Sequence, residues 1–462
     1  MHKINITLIV TGIFASLTAL GQSEFLNEKA LKQRVTQDMV VNQMSLEEIR
    51  KAGELIFTIP FTKEDGLGDG PQNSGDRLEA GSRPTINGNG TFLRINGLDS
   101  QSCQECHSII SVDTIPPIYG IGGAGTVSTS AFPRVRNLDV TDEQNNGFAS
   151  LSGGRMINPP FLFGAGGIEL LAKEMTRDLQ DIRRQAGRRV GVRYELLSKG
   201  ISFGHITATS RGQFDMSEVE GINGELVVRP FGRKGSFPTI RAFDVEALPF
   251  HMGLQPTELE GVGEGNDEDG DGIVDEILTG EVSALHIHNV LLPTPRQEHN
   301  SVSRDGLRLF NQIGCNSCHT NSLRTDIREL PVSSPEVETA PFNNVYRRLD
   351  LSGLFESNRS GGLNIPLFSD LKIHNMGDAI AERAAILPTD SPNINEEFIT
   401  ARLWGVADTA PYMHDGRATS LDEAIRLHGG EARSVRDNYL RLDRNDRGRI
   451  IGFLKSLKTP RP

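Results

Sequence analysis

All four cysteines of this chain fall in two copies of one pattern: Cys103, Cys106 and His107 in SCQECHS, and Cys315, Cys318 and His319 in GCNSCHTN. Two thiols and an imidazole at this spacing can serve a metal ion, a dithiol redox couple or a covalently attached haem. A structural zinc would need the two Cys-x-x-Cys halves to meet across the chain from residue 106 to residue 315, whereas such sites usually close over a few tens of residues. A thioredoxin-like dithiol follows a buried apolar strand, and neither flank shows one. The c-type haem uses every residue present: both thiols add to the vinyl groups, and the adjacent histidine is carried to the iron as proximal ligand. The reading is therefore two covalent c-type haems, with His107 and His319 on the irons.

Two further groups carry chemistry. In TSLDEAIRLHGGEA, Leu421, Ala424, Ile425 and His428 recur at helical spacing, which places His428 on an apolar face where an imidazole needs a partner. With a haem in the same region that partner is the iron, His428 being its second axial ligand; a core histidine bonded to a backbone carbonyl is the alternative. In NDEDGDGIVDE, Asp267, Asp269 and Asp271 alternate before Gly272, as in the first half of a calcium loop. The twelfth position is Leu278 instead of a bidentate Glu. Calcium would borrow Asp275, Glu276 or an outside group, and a solvated acidic loop is equally open.

Each Cys-x-x-Cys-His has a helix in front of it. Ser45 and Glu48 form a capping box for SLEEIRKAGELIF, in which Leu46, Ile49, Gly53 and Ile56 share one face. SRDGLRLFNQIGC repeats the arrangement in shorter form, with Leu307 and Phe310 three apart. Another capping box, Ser420 to Glu423, opens the helix of His428, and Gly429-Gly430 stops it. Between the motifs, GISFGHITATSRGQ and GELVVRPFGRKG alternate as in a small hairpin. DIRRQAGRRVGVR reads as a solvated basic surface or a partner for haem propionates, and GLGDGPQNSGD as loop. The expected fold class is mainly α: two cytochrome c-like haem domains, residues 22–295 and 296–462, with long irregular loops and a small β-hairpin insertion.

At 462 residues the chain is long enough for two or three domains. Its net charge of −12 excludes a general nucleic-acid binder, which needs a basic face, and suits a positive redox partner. The start, MHKINITLIVTGIFASLTALGQSEF, has one Lys, an apolar run and small residues before Gln22, so residues 1–21 read as a cleaved signal peptide. No stable membrane span is then left, and a periplasmic or otherwise exported protein is expected, in keeping with c-type haem attachment.

EFITARLWGVADTAPYMHDGRATSLDEAIRLHGGEA closely resembles the C-terminal signature of the di-haem oxidoreductase family, often labelled thiol oxidoreductases. That family is related to bacterial di-haem cytochrome c peroxidases and to the di-haem enzyme that matures methylamine dehydrogenase. FSDLKIHNMGD, GEVSALHIHNVLLPTP and FGRKGSFPTIRAFDVEALPFHMG extend the resemblance. It implies an N-terminal haem that meets peroxide and a six-coordinate C-terminal haem that relays electrons. The sixth ligand of the relay haem falls at His428, where relatives carry Met or Tyr; Met413, Met376 and His374 are the alternatives, and His414 supports the fold or a haem edge. Bis-His iron implies a lower potential than His-Met iron. NPPFLFGAGGIELLAKEM resembles the loop that supplies a carboxylate above the peroxide-binding iron, which makes Glu169 the catalytic candidate. A Glu that caps or pairs a helix is the alternative, and His251 and Met252 are further groups that could close that iron. The relatives have a Trp between their haems, whereas the single Trp here, Trp404, lies in the C-terminal part.

The function expected is an exported di-haem c-type oxidoreductase, peroxidase-like, taking peroxide or another small substrate and electrons from a redox partner such as a small cytochrome or cupredoxin. The rivals are a di-haem electron carrier without substrate chemistry, and an oxidase of a protein or small molecule. Every Cys being taken, thiol chemistry by the protein itself is not expected.

Overall fold

The structure, a computed structural model, describes residues 29–67, 85–86, 91–92, 102–107, 158–263, 266–267, 272–381 and 395–461. The expected signal segment, Asp269 and Asp271 lie outside these residues.

Helix α1, Leu46–Thr58, starts at the expected capping box: Ser45 Oγ accepts from Glu48 N, and the Glu48 carboxylate accepts from Ser45 N. It buries Ile49, Gly53, Ile56 and Phe57, while Leu46, in the first turn, is exposed. Cys103–Cys106 form the short α2. The long α3, Ala165–Ala186, is buried along its first three turns, charged residues included. Its other end carries the basic cluster, and Arg184, Arg188 and Arg189 are exposed there. Strands β1 (Arg193–Ser198), β2 (Ile201–Ser210) and β3 (Gln213–Asp215) form an antiparallel sheet, followed by α4, Ile240–Ala247, and α5, Thr279–Val290. Helix α6, Ser301–Gln312, precedes the second Cys-x-x-Cys-His. Then come β4 (Glu329–Ser333) paired with β5 (Val345–Asp350), and β6 (Ile373–Asn375) paired with β7 (Glu397–Ile399). The chain closes with α7 (Leu421–Arg426), α8 (Arg433–Arg441) and α9 (Arg444–Leu454).

One packing device occurs twice. Helix α1 crosses α5 at Gly53, where an added Cβ would lie 2.0 Å from Ala284 O and 2.6 Å from His288 Cβ. Helix α6 crosses α9 at Gly306, where a Cβ would lie 2.1 Å from Arg449 O. Each helix that precedes a Cys-x-x-Cys-His is thus pressed backbone to backbone against a later helix, which only a residue without a side chain allows.

The described residues combine these helices with six small antiparallel sheets, more strand than the single hairpin insertion expected. The strands are two to ten residues long; β2, the longest, lies in the alternating GISFGHITATSRGQ stretch, whereas most of the others are too short for a period of two to show. In β4, ELPVS, residues 330–333 are buried without a break. The GELVVRPFGRKG stretch forms no strand, only an isolated bridge between Phe231 and Phe237. The larger apolar core runs from Leu31 to Trp404 and draws in Leu330, Val332, Leu349 and Ile365, beyond residue 295. A smaller core gathers Leu309, Phe310, Phe368, Leu421, Tyr439 and Phe453. Among the described residues, no helix is long and apolar enough to cross a membrane.

Candidate haem and electron-transfer site

The second motif is built by α6 running into the turn Cys315–Ser317, so that His319 N–H donates to Cys315 O at 3.0 Å. His319 Nδ1 faces the carbonyl of Phe368 at 3.1 Å. A nitrogen facing a carbonyl must carry the proton, which leaves Nε2 as the lone pair. Burial lowers the His319 pKa to about 4, and the neighbouring His428 adds to the effect, so the ring is neutral. His428 sits one residue past the C-cap of α7, whose capping box at Ser420 and Glu423 is the expected one. Its Nδ1 donates to Ala424 O at 2.8 Å, and burial lowers its pKa too.

The two rings stand 6.4 Å apart, centre to centre, at 54°. Imidazoles on opposite faces of one metal ion, each bonded at about 2.0 Å, have ring centres about 6.3 Å apart. His319 and His428 therefore fit one iron between them, with each remaining ring nitrogen oriented by a backbone carbonyl as metal-bound imidazoles usually are. Cys315 and Cys318 are not in a disulfide, and burial pushes the Cys315 thiol up to about 12. These residues suit a c-type haem.

His374 is engaged at both ring nitrogens in this arrangement. Its Nδ1 donates to Glu431 at 2.7 Å and its Nε2 to Asp370 at 2.9 Å. Burial opposes the charge, yet hydrogen bonds to Asp370, Cys318 and Glu431 raise the pKa to about 11. An imidazolium has no lone pair for iron. Cys318, Asp370 and His374 form the one group with metal-ligand spacing among the described residues; covalent attachment of a haem at Cys318 would remove its thiolate. His414 stacks on Phe398 at 4.6 Å and its carbonyl accepts from Asn158 N, a supporting position. Met413 takes a left-handed backbone (φ 73) in the same turn, and Met376 N–H bonds Glu396 O.

At the first motif, His107 caps α2, and its Nδ1 donates to Pro160 O at 2.9 Å. Its ring meets Phe243 of α4 edge-on at 6.3 Å. Burial lowers its pKa to about 4 against the effect of the Pro160 bond, and the charge of Arg402 lowers it further. His107 thus repeats the state of His319: neutral, Nδ1 on a carbonyl, Nε2 left for a metal. His251 and Met252 lie on the turn Leu248–Met252 that follows α4, Met252 being buried.

Glu169 lies on α3, fully buried. Its carboxylate accepts from Ile240 N at 3.0 Å, from His286 Nε2 at 3.0 Å, and pairs with Lys173 at 3.2 Å. Burial would raise its pKa, but His286 and Lys173 outweigh that and hold it at about 2. One helical turn beyond Ile240 is Phe243, the ring against His107. His286 is a residue that sequence reasoning missed: it was visible only as one of two histidines in GEVSALHIHNVLLPTP, and its Nδ1 is buried without a hydrogen-bond partner. Asp244, also buried, accepts from Asn289 at 3.3 Å, and burial pushes its pKa well up. In the acidic loop, Asp267 Oδ2 accepts from Gly272 N at 3.1 Å, Asp275 Oδ1 from Gly263 N at 3.0 Å and Glu276 Oε2 from Gln255 N at 2.7 Å.

Residues 260–457 match the family described as "Di-haem oxidoreductase, putative peroxidase". No curated protein sequence matches the chain. Two solved structures are similar at low identity. One is hydrazine synthase of Kuenenia stuttgartiensis, 14% identical over 64% of this chain and 87% of that one, TM-score 0.27. The other is a MauG-like protein associated with microbial copper homeostasis, 16% identical over 64% and 89%, TM-score 0.30. Residues 260–457, which include the second Cys-x-x-Cys-His and His428, are thus the part of the chain similar to di-haem oxidoreductases.

Proposed function

We propose that the protein is an exported di-haem c-type oxidoreductase of two haem domains, residues 22–295 and 296–462, which reduces peroxide at the N-terminal site and relays electrons through the C-terminal one. The observation that carries this reading is the matched state of His107, His319 and His428, each neutral with Nδ1 on a backbone carbonyl, two of them 6.4 Å apart. The twin glycine crossings at Gly53 and Gly306 support one domain per motif. Cys103 and Cys106 would attach one haem and Cys315 and Cys318 the other. The haems supply one-electron iron chemistry when bound and, where a coordination position is open, a place for a small oxidant.

The chain's own part is positional and electrostatic. His319 and His428, 6.4 Å apart, would both hold one iron, which suits a relay. His107 has no second imidazole in ring contact among the described residues, which suits a substrate. Glu169 holds an ionised carboxylate against His286 Nε2–H, a pair that can pass one proton between its members. The same observation favours a second reading: a carboxylate already bound to three donors is a poor proton acceptor, as expected in a di-haem electron carrier. The net charge of −12 suits a basic cytochrome or cupredoxin as partner.

Electron paramagnetic resonance of the oxidised protein, with peroxide consumption against a reduced donor, tests the reading. One high-spin and one low-spin iron with turnover are expected. Two low-spin irons without turnover replace the enzyme by the carrier, and fewer than two haems kept through acid-acetone extraction removes both. Calcium at Asp267, Asp269 and Asp271 is part of the proposal; a chelator should then lower the melting temperature and calcium restore it, and no response assigns the loop to solvent.

A further inference from the structure

The segment that holds His107 is itself held by the C-terminal half of the chain. Asn158 donates from its side chain to the carbonyls of Pro411 at 2.8 Å and Met413 at 3.0 Å. Pro160 O receives His107 Nδ1, and the next carbonyl, Phe161 O, accepts from the Arg402 guanidinium at 2.9 Å. Arg402 leads into Leu403, whose N–H donates to Leu367 O at 3.1 Å. The carbonyl after Leu367, that of Phe368, receives His319 Nδ1. Four hydrogen bonds and short pieces of backbone thus join the two motif histidines.

Arg402 is the one side chain in this path apart from the histidines, and it is a buried cation. Among the described residues no carboxylate offsets its burial, and its Nε is buried with no hydrogen-bond partner. The guanidinium lies over the Phe161 ring at 5.5 Å. Burial lowers its pKa only to about 10, so it is charged at neutral pH, and its field reaches His107. Taking a cation out of water is costly, and the hydrogen bond to Phe161 O fixes where its field acts.

We propose that Arg402 is a positioning residue through which the C-terminal half of the chain sets the reduction potential of the iron held by His107. A fixed positive charge near an iron disfavours the ferric state more than the ferrous one and so raises the potential. Its bond to Phe161 fixes that charge beside the carbonyl that orients His107. The inference rests on the di-haem reading above and extends it to a residue outside both Cys-x-x-Cys-His motifs.

The test is a spectroelectrochemical titration of the full-length holoprotein carrying Arg402→Lys, Arg402→Gln or Arg402→Met, with haem counted per chain. The Gln and Met variants should each shift the reduction equilibrium of the His107 haem about tenfold toward ferric, or about 59 mV for one electron. The haem of His319 and His428 should keep its potential, and Lys should restore the wild-type value. Unchanged potentials in Gln and Met overturn the proposal. So does a fall in Met alone, because Gln still offers an N–H to Phe161 O and charge would not be the cause. Equal falls at both haems also overturn it, as general loosening. Should Met fail to fold, the Lys and Gln pair decides. Fewer than two haems in the wild type sinks the di-haem reading, whereas two haems with unmoved potentials sinks only the role of Arg402.

Discussion

His428 shows how far single residues could be read. Its helical spacing after Leu421, Ala424 and Ile425 put it on an apolar helix face; in the structure it lies just past the C-cap of α7, with its ring 6.4 Å from that of His319. Spacing could not show that His374, an alternative ligand, is locked between Asp370 and Glu431, because those partners converge only in the fold. Replacing His428 by Ala should turn one low-spin iron high-spin and leave the other haem unchanged; an unaltered spectrum would pass the role to Met413, Met376 or His374. Glu169 was singled out in the sequence by resemblance alone, and its partners were not, since Ile240 and His286 are distant in sequence. Its pKa has a consequence for stability. The carboxylate titrates near 4.5 when unfolded and about 2 when folded, so between those values the unfolded chain binds the extra proton. The network's contribution is complete above about pH 4.5 and fades as pH falls toward 2. Glu169→Gln should flatten the loss of melting temperature across that interval, and an unchanged acid slope would show that the carboxylate is not coupled to folding.

At the scale of elements, the capping boxes at Ser45 and Ser420 gave correct helix starts because a cap is a local hydrogen-bond pattern. The short sheets were missed for the opposite reason: β4 and β5 are strands by virtue of pairing with each other and packing on α3, not by periodicity. The glycines of α6 and α9 give a paired test. Gly306→Ala puts a methyl 2.1 Å from Arg449 O, and backbone cannot move aside as a side chain can. Overpacking of this kind costs about 1–3 kcal/mol. Gly448, on the outer side of α9, has nothing within 4 Å of the added carbon, so Gly448→Ala should gain about 0.5–1 kcal/mol from helix propensity alone. Thermal unfolding of the two variants should move in opposite directions. Equal shifts would mean that the α6–α9 crossing is looser than the backbone contact implies.

For the whole molecule, the sequence suggested a division at residues 295 and 296, where the second motif's helix is about to begin. The packing ties the two sides together. Helix α3 sends Glu174 to the backbone N–H groups of Asp326 and Ile327, and Lys173 to Pro331 O. Its Gly167 rests on Phe355, and Trp404 lies against Gly164 at the start of the same helix. Leu330, Val332, Leu349, Leu363, Ile365 and Trp404 all belong to the larger core. Such contacts leave no local trace, because each joins residues far apart in the chain. They predict how a fragment of residues 296–462 should behave. Without α3, those six side chains lose their cover, at about 1.5–3 kcal/mol for each one exposed. The total is comparable with the stability of an entire domain, about 5–15 kcal/mol. The fragment, even with its haem attached, should bind a hydrophobic dye and melt without a cooperative transition, whereas the full chain should melt cooperatively. A monomeric fragment with sharp unfolding and no dye binding would show that the C-terminal haem domain stands alone and that the contacts with α3 contribute little.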